Sequence, residues 1–293
     1  MSESRRRKLE FLTRSIAHGD MAAAQRLIQP APVTAGPCDA EPLPLEQAIG
    51  GCSLAVSWDG RSGDCWLVRR TLAEVSTDLA DVSHRYAAVL RGARQRFDEI
   101  EASAELCHIA NARPEDLLFL DLETCGLGGT PIFLVGLMSF RDEQLVFEQL
   151  LARDYSQEAA ILLALAERMA GMSVLVTFNG KAFDMTQVAE RSAFHGIVPP
   201  DGPAVPHLDL LHEARRRWRK DLPNCRLQTL ERVLCGRHRT GDIPGWAIPE
   251  AYHKFVADQD ARALRDILHH NMLDLLTMSE LLCALLAGDS PLA

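Results

Sequence analysis

The sequence predicts an α/β fold in three layers, in which a mixed five-stranded sheet is flanked by helices and preceded by a mainly helical extension. From residue 115 onwards, apolar runs of strand length and amphipathic stretches of helical length follow one another in the order β-β-β-α-β-α-β-α. An initial antiparallel run followed by helical crossovers gives a mixed sheet with helices on its faces. This order alone fits more than one three-layer α/β fold.

The predicted strands are short apolar runs, and the second and third are joined by the polar connection Arg141-Asp142-Glu143. A connection this tight predicts an antiparallel hairpin between those two strands. The fourth and fifth strands each lead into a helix, as crossover connections do. The expected strands span 117–122, 131–140, 143–151, 174–178 and 207–211.

Amphipathic stretches separate and follow the later strands. One predicted helix has Ser156 as a plausible cap and Gly171 as its stop. A second is expected at 183–194. The region 226–288 is predicted to be helical, apart from a Gly/Pro-rich loop at 241–249.

The N-terminal part of the chain has a different character. Two short helices are expected at 4–17 and 20–28, and the prolines that follow predict an extended linker or surface loop. We therefore expect a helical extension with a Pro-rich linker at 1–45, a region with short strands and a helix packing on the core at 46–114, and the main domain at 115–288.

The composition restricts the classes of function. The chain has 293 residues, eight cysteines and a formal net charge of −9, which argues against a protein that coats nucleic acid by bulk charge. No CxxC pair is present, so reduced thiols are a better interpretation than a zinc ribbon or a disulfide framework. Without a membrane-length apolar stretch or a secretory signal, we expect a cytoplasmic protein, with an organelle transit peptide as the alternative.

Four acidic residues lie in three short motifs. Asp121 and Glu123 are two apart on a predicted strand, so both side chains point to one face. Asp184 follows the fourth strand, where it could also cap a helix, and Asp274 lies on a helix. Each motif alone is common, but together they predict a site for two divalent ions, Mg²⁺ or Mn²⁺, of the kind that cleaves phosphodiesters.

These motifs resemble a known group of enzymes. Asp121-Leu122-Glu123-Thr124, Phe178-Asn179-Gly180-x-x-Phe183-Asp184 and His270-Asn271-x-x-Asp274 are similar to the three motifs of the DEDD superfamily of 3′→5′ exonucleases, which have a ribonuclease H-like fold. Residues 225–231 and 242–245, with the last motif, look like the YprB-type branch of ribonuclease H-like proteins. The resemblance covers 115–288 and identifies that range as the expected exonuclease domain.

The resemblance implies a role for each acidic residue. Asp121 would bridge both metals, Glu123 and Asp274 would hold the metal that carries the attacking water, and Asp184 would serve the second metal, through water. Thr124 and Leu127 match positions that contact or wedge the terminal nucleotide in such enzymes.

Two adjacent histidines, His269 and His270, are candidates for the general base. Branches of the superfamily place a histidine five residues before the last aspartate or a tyrosine four residues before it, and this chain has histidine at both spacings. A helical residue four back lies nearly on the same face as Asp274, so His270 is favoured and His269 is the alternative.

Single-stranded DNA or RNA is the expected partner. The run Arg215–Lys220 is the densest positive segment, and Trp218 within it could stack on a base. The alternative is a solvated helix face, because the charges of this run point in every direction around a helix. Asn179, Lys181 and Arg226 are further candidates for substrate contact.

The resulting hypothesis is a hydrolase, a metal-dependent 3′→5′ exonuclease on single-stranded DNA or RNA. A catalytically weak or inactive nucleic-acid-binding or scaffold protein, and an endonuclease on the same fold, are the alternatives.

Overall fold

The structure is a computed structural model. It describes residues 41–58, 60–76, 79–126, 128–197 and 205–288. Those from Pro42 onwards form one compact unit. The helices expected at 4–17 and 20–28 lie outside the described residues, as does Leu127.

A mixed seven-stranded sheet forms the centre of the described region, in the spatial order β1-β2-β5-β4-β3-β6-β7. Strands β1 to β5 pair antiparallel with their neighbours, whereas β3–β6 and β6–β7 are parallel pairs. The strands are Cys52–Trp58 (β1), Arg61–Thr71 (β2), Leu117–Thr124 (β3), Ile132–Arg141 (β4), Gln144–Leu151 (β5), Val174–Thr177 (β6) and His207–Asp209 (β7).

The predicted mixed sheet with flanking helices is confirmed, and β3 to β7 correspond to the expected five strands. The strand number was too low, because β1 and β2 were expected to pack on the core rather than to join the sheet. Strand β2 pairs with β5 in a register that sets Trp66 opposite Leu151. Such pairing joins segments far apart in the chain, and a local apolar pattern does not reveal it.

The hairpin between β4 and β5 turns through Asp142 and Glu143, whose φ angles are 51° and 60°. Arg141 pairs with Gln144 across this two-residue loop. Positive φ at both central residues is the geometry of a type I′ turn, whose twist matches that of the flanking strands.

Helices cover both faces of the sheet. The helix expected within 46–114 ends at Arg91 and is followed by short 3₁₀ turns. Among the described helices, none has the length and apolar character needed to cross a bilayer. The α-helices are Leu45–Ile49 (α1), Leu72–Val75 (α2), Ala80–Arg91 (α3), Glu158–Met169 (α4), Asp184–His195 (α5), Leu210–Trp218 (α6), Leu227–Leu234 (α7), Ile248–Asp258 (α8) and Arg262–Ala287 (α9).

The two faces of β3 belong to different halves of the core. Leu120 and Leu122 pack in a cluster with α4 and α8, whereas Phe119 packs on the opposite face with α6 and the C-terminal part of α9. Side chains two apart on a strand share a face, so Asp121 and Glu123 lie on the side of Phe119. Helix α9 packs against β3 and β4, and the acidic residues of β3 are therefore brought to α9.

A buried ion-pair cluster ties β4 to α4 and α5. Glu158 is 1% exposed and accepts a hydrogen bond from the backbone N–H of Ile132 at 2.8 Å. Arg191 donates to both of its carboxylate oxygens, and His195 Nε2 lies 2.8 Å from Oε2. Burial alone would raise the pKa of Glu158, but these donors outweigh it and hold the pKa below its ordinary value.

We expect Glu158→Gln to lower the free energy of unfolding by about 3–5 kcal/mol, because it leaves Arg191 without its buried partner. Glu143→Gln is the control, since Glu143 pairs with Arg91 at the surface, and it should cost less than about 1 kcal/mol. Urea unfolding measures both. Equal losses in the two variants would contradict a structural role for the cluster.

The stability that Glu158 supplies should depend on pH. Because its folded-state pKa is lowered, the contribution is complete above the ordinary value of 4.5 and is lost as the pH falls below it. The difference in the free energy of unfolding between wild type and Glu158→Gln should therefore decrease as the pH is lowered from about 5 to about 3, a range that brackets that pKa.

Candidate active site

Asp121 and Glu123 project from β3 toward α9, and Asn271 of that helix holds the first of them. The Asn271 side chain is fully buried, and its Nδ2 donates to Asp121 Oδ2 at 2.8 Å. Its Oδ1 accepts a hydrogen bond from Gln149 Nε2 at 3.0 Å. With its amide satisfied at both ends, Asn271 fixes the position of the Asp121 carboxylate.

A glycine on β4 makes room for this amide. Gly136 is the cross-strand partner of Asp121, and a Cβ added at Gly136 would lie only 2.0 Å from Asn271 Oδ1. No residue with a side chain fits there without moving Asn271. The close approach of α9 to the sheet therefore depends on glycine at this position.

Asp184 joins the same cluster from the start of α5. Its side chain is buried, and Oδ1 accepts a hydrogen bond from the backbone N–H of Leu122 at 3.2 Å. It is the first residue of the helix, and the residue before it occupies the cap position. The carboxylate therefore faces β3 rather than capping its own helix.

The loop that leads to Asp184 is organised by Asp209 at the end of β7. Asp209 is fully buried and accepts hydrogen bonds from the backbone N–H groups of Asn179 and Lys181 at 2.8 and 3.1 Å. Asn179 has a φ of 68°, a left-handed conformation that asparagine tolerates better than most residues. These bonds fix the path of the chain between β6 and α5.

On α9, His270 stands between two carboxylates. Its Nδ1 lies 3.0 Å from both oxygens of Asp242, and its Nε2 lies 3.6 Å from Asp274 Oδ2, one helical turn away. Asp242 keeps a lowered pKa: desolvation opposes ionisation, but the bond to His270 and the charges of His270 and Arg239 outweigh it. An ionised Asp242 accepts the Nδ1 proton, which directs Nε2 toward the acidic residues.

The carboxylates repel one another in partly dehydrated surroundings. Desolvation, with the charges of Asp274, Glu123 and Asp184, holds the pKa of Asp121 well above its ordinary range. Desolvation likewise raises the pKa of Glu123 to about 8, although His270 opposes the rise. It raises the pKa of Asp184 to about 7 and also raises that of Asp274. Neighbouring positive charge would relieve this repulsion.

One such charge is a protein side chain. Arg239 Nη2 donates to Asp274 Oδ1, and the same guanidinium pairs with Glu231 and Asp242. Since Asn271 and Leu122 also engage oxygens of Asp121 and Asp184, several potential ligand atoms already have partners. Consistently, no three His, Cys, Asp or Glu side chains in the described part of the chain are arranged as a ready cage for a cation.

A cleft of about 500 Å³ opens beside the cluster. Asp121 and Asp274 form part of its lining, together with two exposed arginines, Arg215 and Arg226. The remaining lining residues are Phe178, Asn179, Leu211, Asn224, Cys225 and Leu227. Acidic and basic groups thus line one cavity.

Several predicted site residues lie elsewhere. His269 is exposed on α9, whereas His270 is buried between its partners. Lys181 Nζ is held 2.7 Å from Glu105 Oε1, so its ammonium group is already engaged. Thr124 is buried and donates from Oγ1 to the carbonyl of Gly126 at 2.6 Å.

The interpretation of the basic run as a stacking strip is wrong. Trp218 is 1% exposed and packs in the core between α6 and the sheet, so no base can reach it. Arg216 pairs with Glu213 and Arg217 donates to the carbonyl of Gly288. Of this run, only Arg215 lines the cleft.

Four residues that support the site were not predicted as functional. Asp242 and Asn271 lie within the motifs that carry the family resemblance, but those motifs did not indicate what the two residues do. Asp209 ends the apolar run of the fifth strand, where a buried acid is a signal of a structured loop. Arg239 carried no local signal of its contact with the acidic cluster, because Asp274 lies 35 residues further along the chain.

The fold and these clustered carboxylates together define a protein of the ribonuclease H-like class. The family described as "RNase_H superfamily" matches residues 118–286, a span that contains all four acidic residues. The chain belongs to this superfamily.

A curated relative is the "Uncharacterized protein YprB" of Bacillus subtilis (strain 168), 32% identical over 206 residues. The match covers 68% of this chain and 50% of the relative, so the chain spans about half of that protein's length. Among solved structures, the family B DNA polymerase from the hyperthermophilic archaeon Pyrobaculum calidifontis is similar over 56% of this chain and 24% of its own, with 18% identity and a TM-score of 0.40.

We expect Gly136→Ala to destabilise the protein by about 1–3 kcal/mol, because the new methyl group collides with Asn271. Gly171→Ala is the control, since a Cβ at Gly171 meets nothing within 4 Å, and it should change stability by no more than about 0.5 kcal/mol. Urea unfolding gives both values, and the side-chain amide signals of Asn271 in a ¹⁵N NMR spectrum should shift only in Gly136→Ala. An unshifted Asn271 amide in that variant would show that the contact is absent.

Proposed function

We propose that this chain is a metal-dependent nuclease that removes nucleotides from the 3′ end of single-stranded DNA or RNA. The observation that carries the proposal is the gathering of four carboxylates of raised pKa, two of which line a cleft that also holds two arginines. Like charges are assembled at this cost chiefly where a cation is to be bound.

The donor set suits two Mg²⁺ or Mn²⁺ ions. Asp121, Glu123, Asp184 and Asp274 offer hard carboxylate oxygens, which these ions prefer over nitrogen or sulfur. Desolvation and the neighbouring carboxylates disfavour the ionised form of Asp121, and a divalent ion would offset both effects. When bound, such a pair of ions activates a water molecule and stabilises the leaving oxygen.

Residues of the chain supply the other requirements of hydrolysis. With Nδ1 held by Asp242, His270 presents Nε2 toward the acidic cluster as the atom that can accept a proton from the attacking water. Asn271 keeps Asp121 in place, so its carboxylate needs no reorganisation during the reaction. His270, rather than the exposed His269, is therefore the proposed general base.

The cleft favours a flexible single strand as substrate. Arg215 and Arg226 are exposed along it, and neither is ion-paired within the described residues, so both can pair with phosphates. Phe178, partly exposed in the same lining, offers an apolar surface to a base.

A second candidate is a nucleic-acid-binding protein with weak or absent activity. The ion pair between Arg239 and Asp274 favours it, since it occupies an oxygen that the nuclease needs. Measurement of hydrolysis distinguishes the two candidates.

We expect Asp121→Asn and Asp274→Asn each to reduce Mn²⁺-dependent hydrolysis of a single-stranded oligonucleotide by roughly 10²–10³-fold, because each loses a charge at the reacting centre. Asp266→Asn is the matched control. It removes the same charge from an exposed position of α9 and should leave the rate unchanged. Binding without hydrolysis by the wild type would favour the second candidate.

The same assay tests direction and substrate. A 3′→5′ exonuclease releases labelled mononucleotide at once from a 3′-labelled strand and a descending ladder from a 5′-labelled strand. Internal cuts in a strand with a blocked 3′ end would instead indicate an endonuclease. DNA and RNA of the same sequence, compared side by side, identify the preferred nucleic acid.

Trp246 is the proposed stacking residue in place of the buried Trp218. It is 76% exposed and lies two residues after Pro244, which lines a second cleft of about 380 Å³ with Arg239 and Asp242. An exposed indole close in sequence to the His270 partner is suitably placed to stack on a nucleobase.

We expect Trp246→Ala to weaken binding of a fluorescently labelled single-stranded oligonucleotide by about 1–3 kcal/mol, the usual contribution of one stacked base. Anisotropy in EDTA measures binding without cleavage. The control is Phe194→Ala, an aromatic residue 71% exposed near the end of α5, where its ring lies 4.3 Å from the Arg191 guanidinium. Equal effects of the two substitutions would refute a specific role for Trp246.

A further inference from the structure

Arg239 is almost enclosed by acidic side chains. The residue is 7% exposed at its side chain and donates from Nε to Glu231 at 2.6 Å and from Nη1 to Asp242 at 3.2 Å. Its remaining terminal nitrogen, Nη2, donates to Asp274 Oδ1. These charges raise the pKa of the guanidinium despite its burial, so it is a permanent cation at this place.

We propose that Arg239 is a resident counterion that occupies the place of a metal cation at Asp274 and must release that carboxylate before metal can bind. The inference rests on the proposed nuclease function. It assigns a regulatory role to a residue whose three ion pairs join the acidic cluster to the loop between α7 and α8.

Because Arg239 has three ion pairs, it can release Asp274 with only a small movement. If Arg239 leaves Asp274, it keeps Glu231 and Asp242, so the guanidinium stays paired and moves only a short distance. Only Asp274 loses its contact with the guanidinium, and a metal ion replaces that contact. An arginine is suited to this exchange because its guanidinium group has separate N–H donors for separate carboxylates.

Two glycines, the residues with the fewest backbone restrictions, lie near Arg239 in the sequence. Gly236 and Gly241 flank it with φ angles of 66° and 75°, and a Cβ at either would meet nothing within 4 Å. The neighbouring Arg237 is anchored differently: it pairs with Glu231 and Glu280 and does not contact Asp274. Arg237 therefore holds the loop to α7 and α9 while Arg239 exchanges.

Competition of this kind lowers the apparent metal affinity. When a ligand binds only a minor state, its apparent affinity falls in proportion to the fraction of molecules in that state. In return, the metal-free protein avoids a partly buried Asp274 carboxylate without its arginine, and removal of one partner from a buried ion pair is strongly destabilising. Removal of Arg239 should therefore strengthen metal binding and weaken the metal-free fold.

The test compares Arg239→Gln with Arg237→Gln, which removes an equal charge and a partner of the same Glu231 without freeing Asp274. Titration calorimetry with MnCl₂ alone should show Arg239→Gln binding about 10-fold or more tightly than wild type, as expected when a competent state of roughly 10% or less becomes the major one. Arg237→Gln should bind Mn²⁺ as the wild type does. In EDTA both variants should melt below the wild type, and Mn²⁺ should restore the melting temperature more in Arg239→Gln.

Arg239→Lys provides a second variant if the glutamine variant does not fold. Lysine keeps the charge but has a single ammonium group for three carboxylates, so its Mn²⁺ dissociation constant should fall between those of wild type and Arg239→Gln. Circular dichroism establishes that each variant is folded.

Asp274→Asn separates the failure of this inference from failure of the proposed function. If the wild type binds Mn²⁺, Asp274→Asn does not, and folded Arg239 variants bind no tighter than wild type, the counterion role is overturned and the metal site stands. If neither wild type nor Arg239→Gln binds Mn²⁺, the metal-dependent function fails and the inference fails with it.

Discussion

Four carboxylates crowded on a partly dehydrated face are the constraint on which the rest of the site depends. Desolvation raises the pKa values of all four, and repulsion within the cluster adds to the rise at Asp121 and Glu123. A fold that holds these groups together must offset that energy elsewhere. It does so with specific donors, since the Asn271 amide, the Leu122 backbone N–H and the Arg239 guanidinium each engage one carboxylate oxygen. The scaffold is therefore a set of hydrogen-bond donors arranged around an acidic centre.

The sheet supplies the rigidity that these donors need. Asp121 lies opposite Gly136 on a central strand pair, and the missing side chain of that glycine lets Asn271 of α9 reach both Gln149 and Asp121. Because α9 also carries His270 and Asp274, one close contact between helix and sheet positions most of the site. Backbone packing at a glycine thus sets the geometry of side chains that belong to distant segments.

Local rules were enough to predict part of this arrangement. The period of two along β3 places Asp121 and Glu123 on one face, and helical geometry favours His270 over His269, which the structure leaves exposed. What could not be predicted depends on tertiary contacts. Trp218 is in the core because α6 turns it there, and β1 and β2 join the sheet through pairing with a strand far along the chain. Lys181 is engaged by Glu105, which no local pattern connects with it.

The arginine at Asp274 supplies positive charge to the acidic centre from the protein itself. Two arginines share Glu231, and one of them extends to Asp242 and Asp274, so positive charge reaches the cluster from a loop rather than from the sheet. In the proposed exchange, a charge held on a loop is withdrawn, whereas one built into β3 or α9 would be fixed. A fixed cation would stabilise the metal-free fold more and would block the site. Under the proposed exchange, its placement on a loop combines stability of the metal-free protein with access for a metal ion. Asp242, which also contacts His270, links that loop to the proposed base.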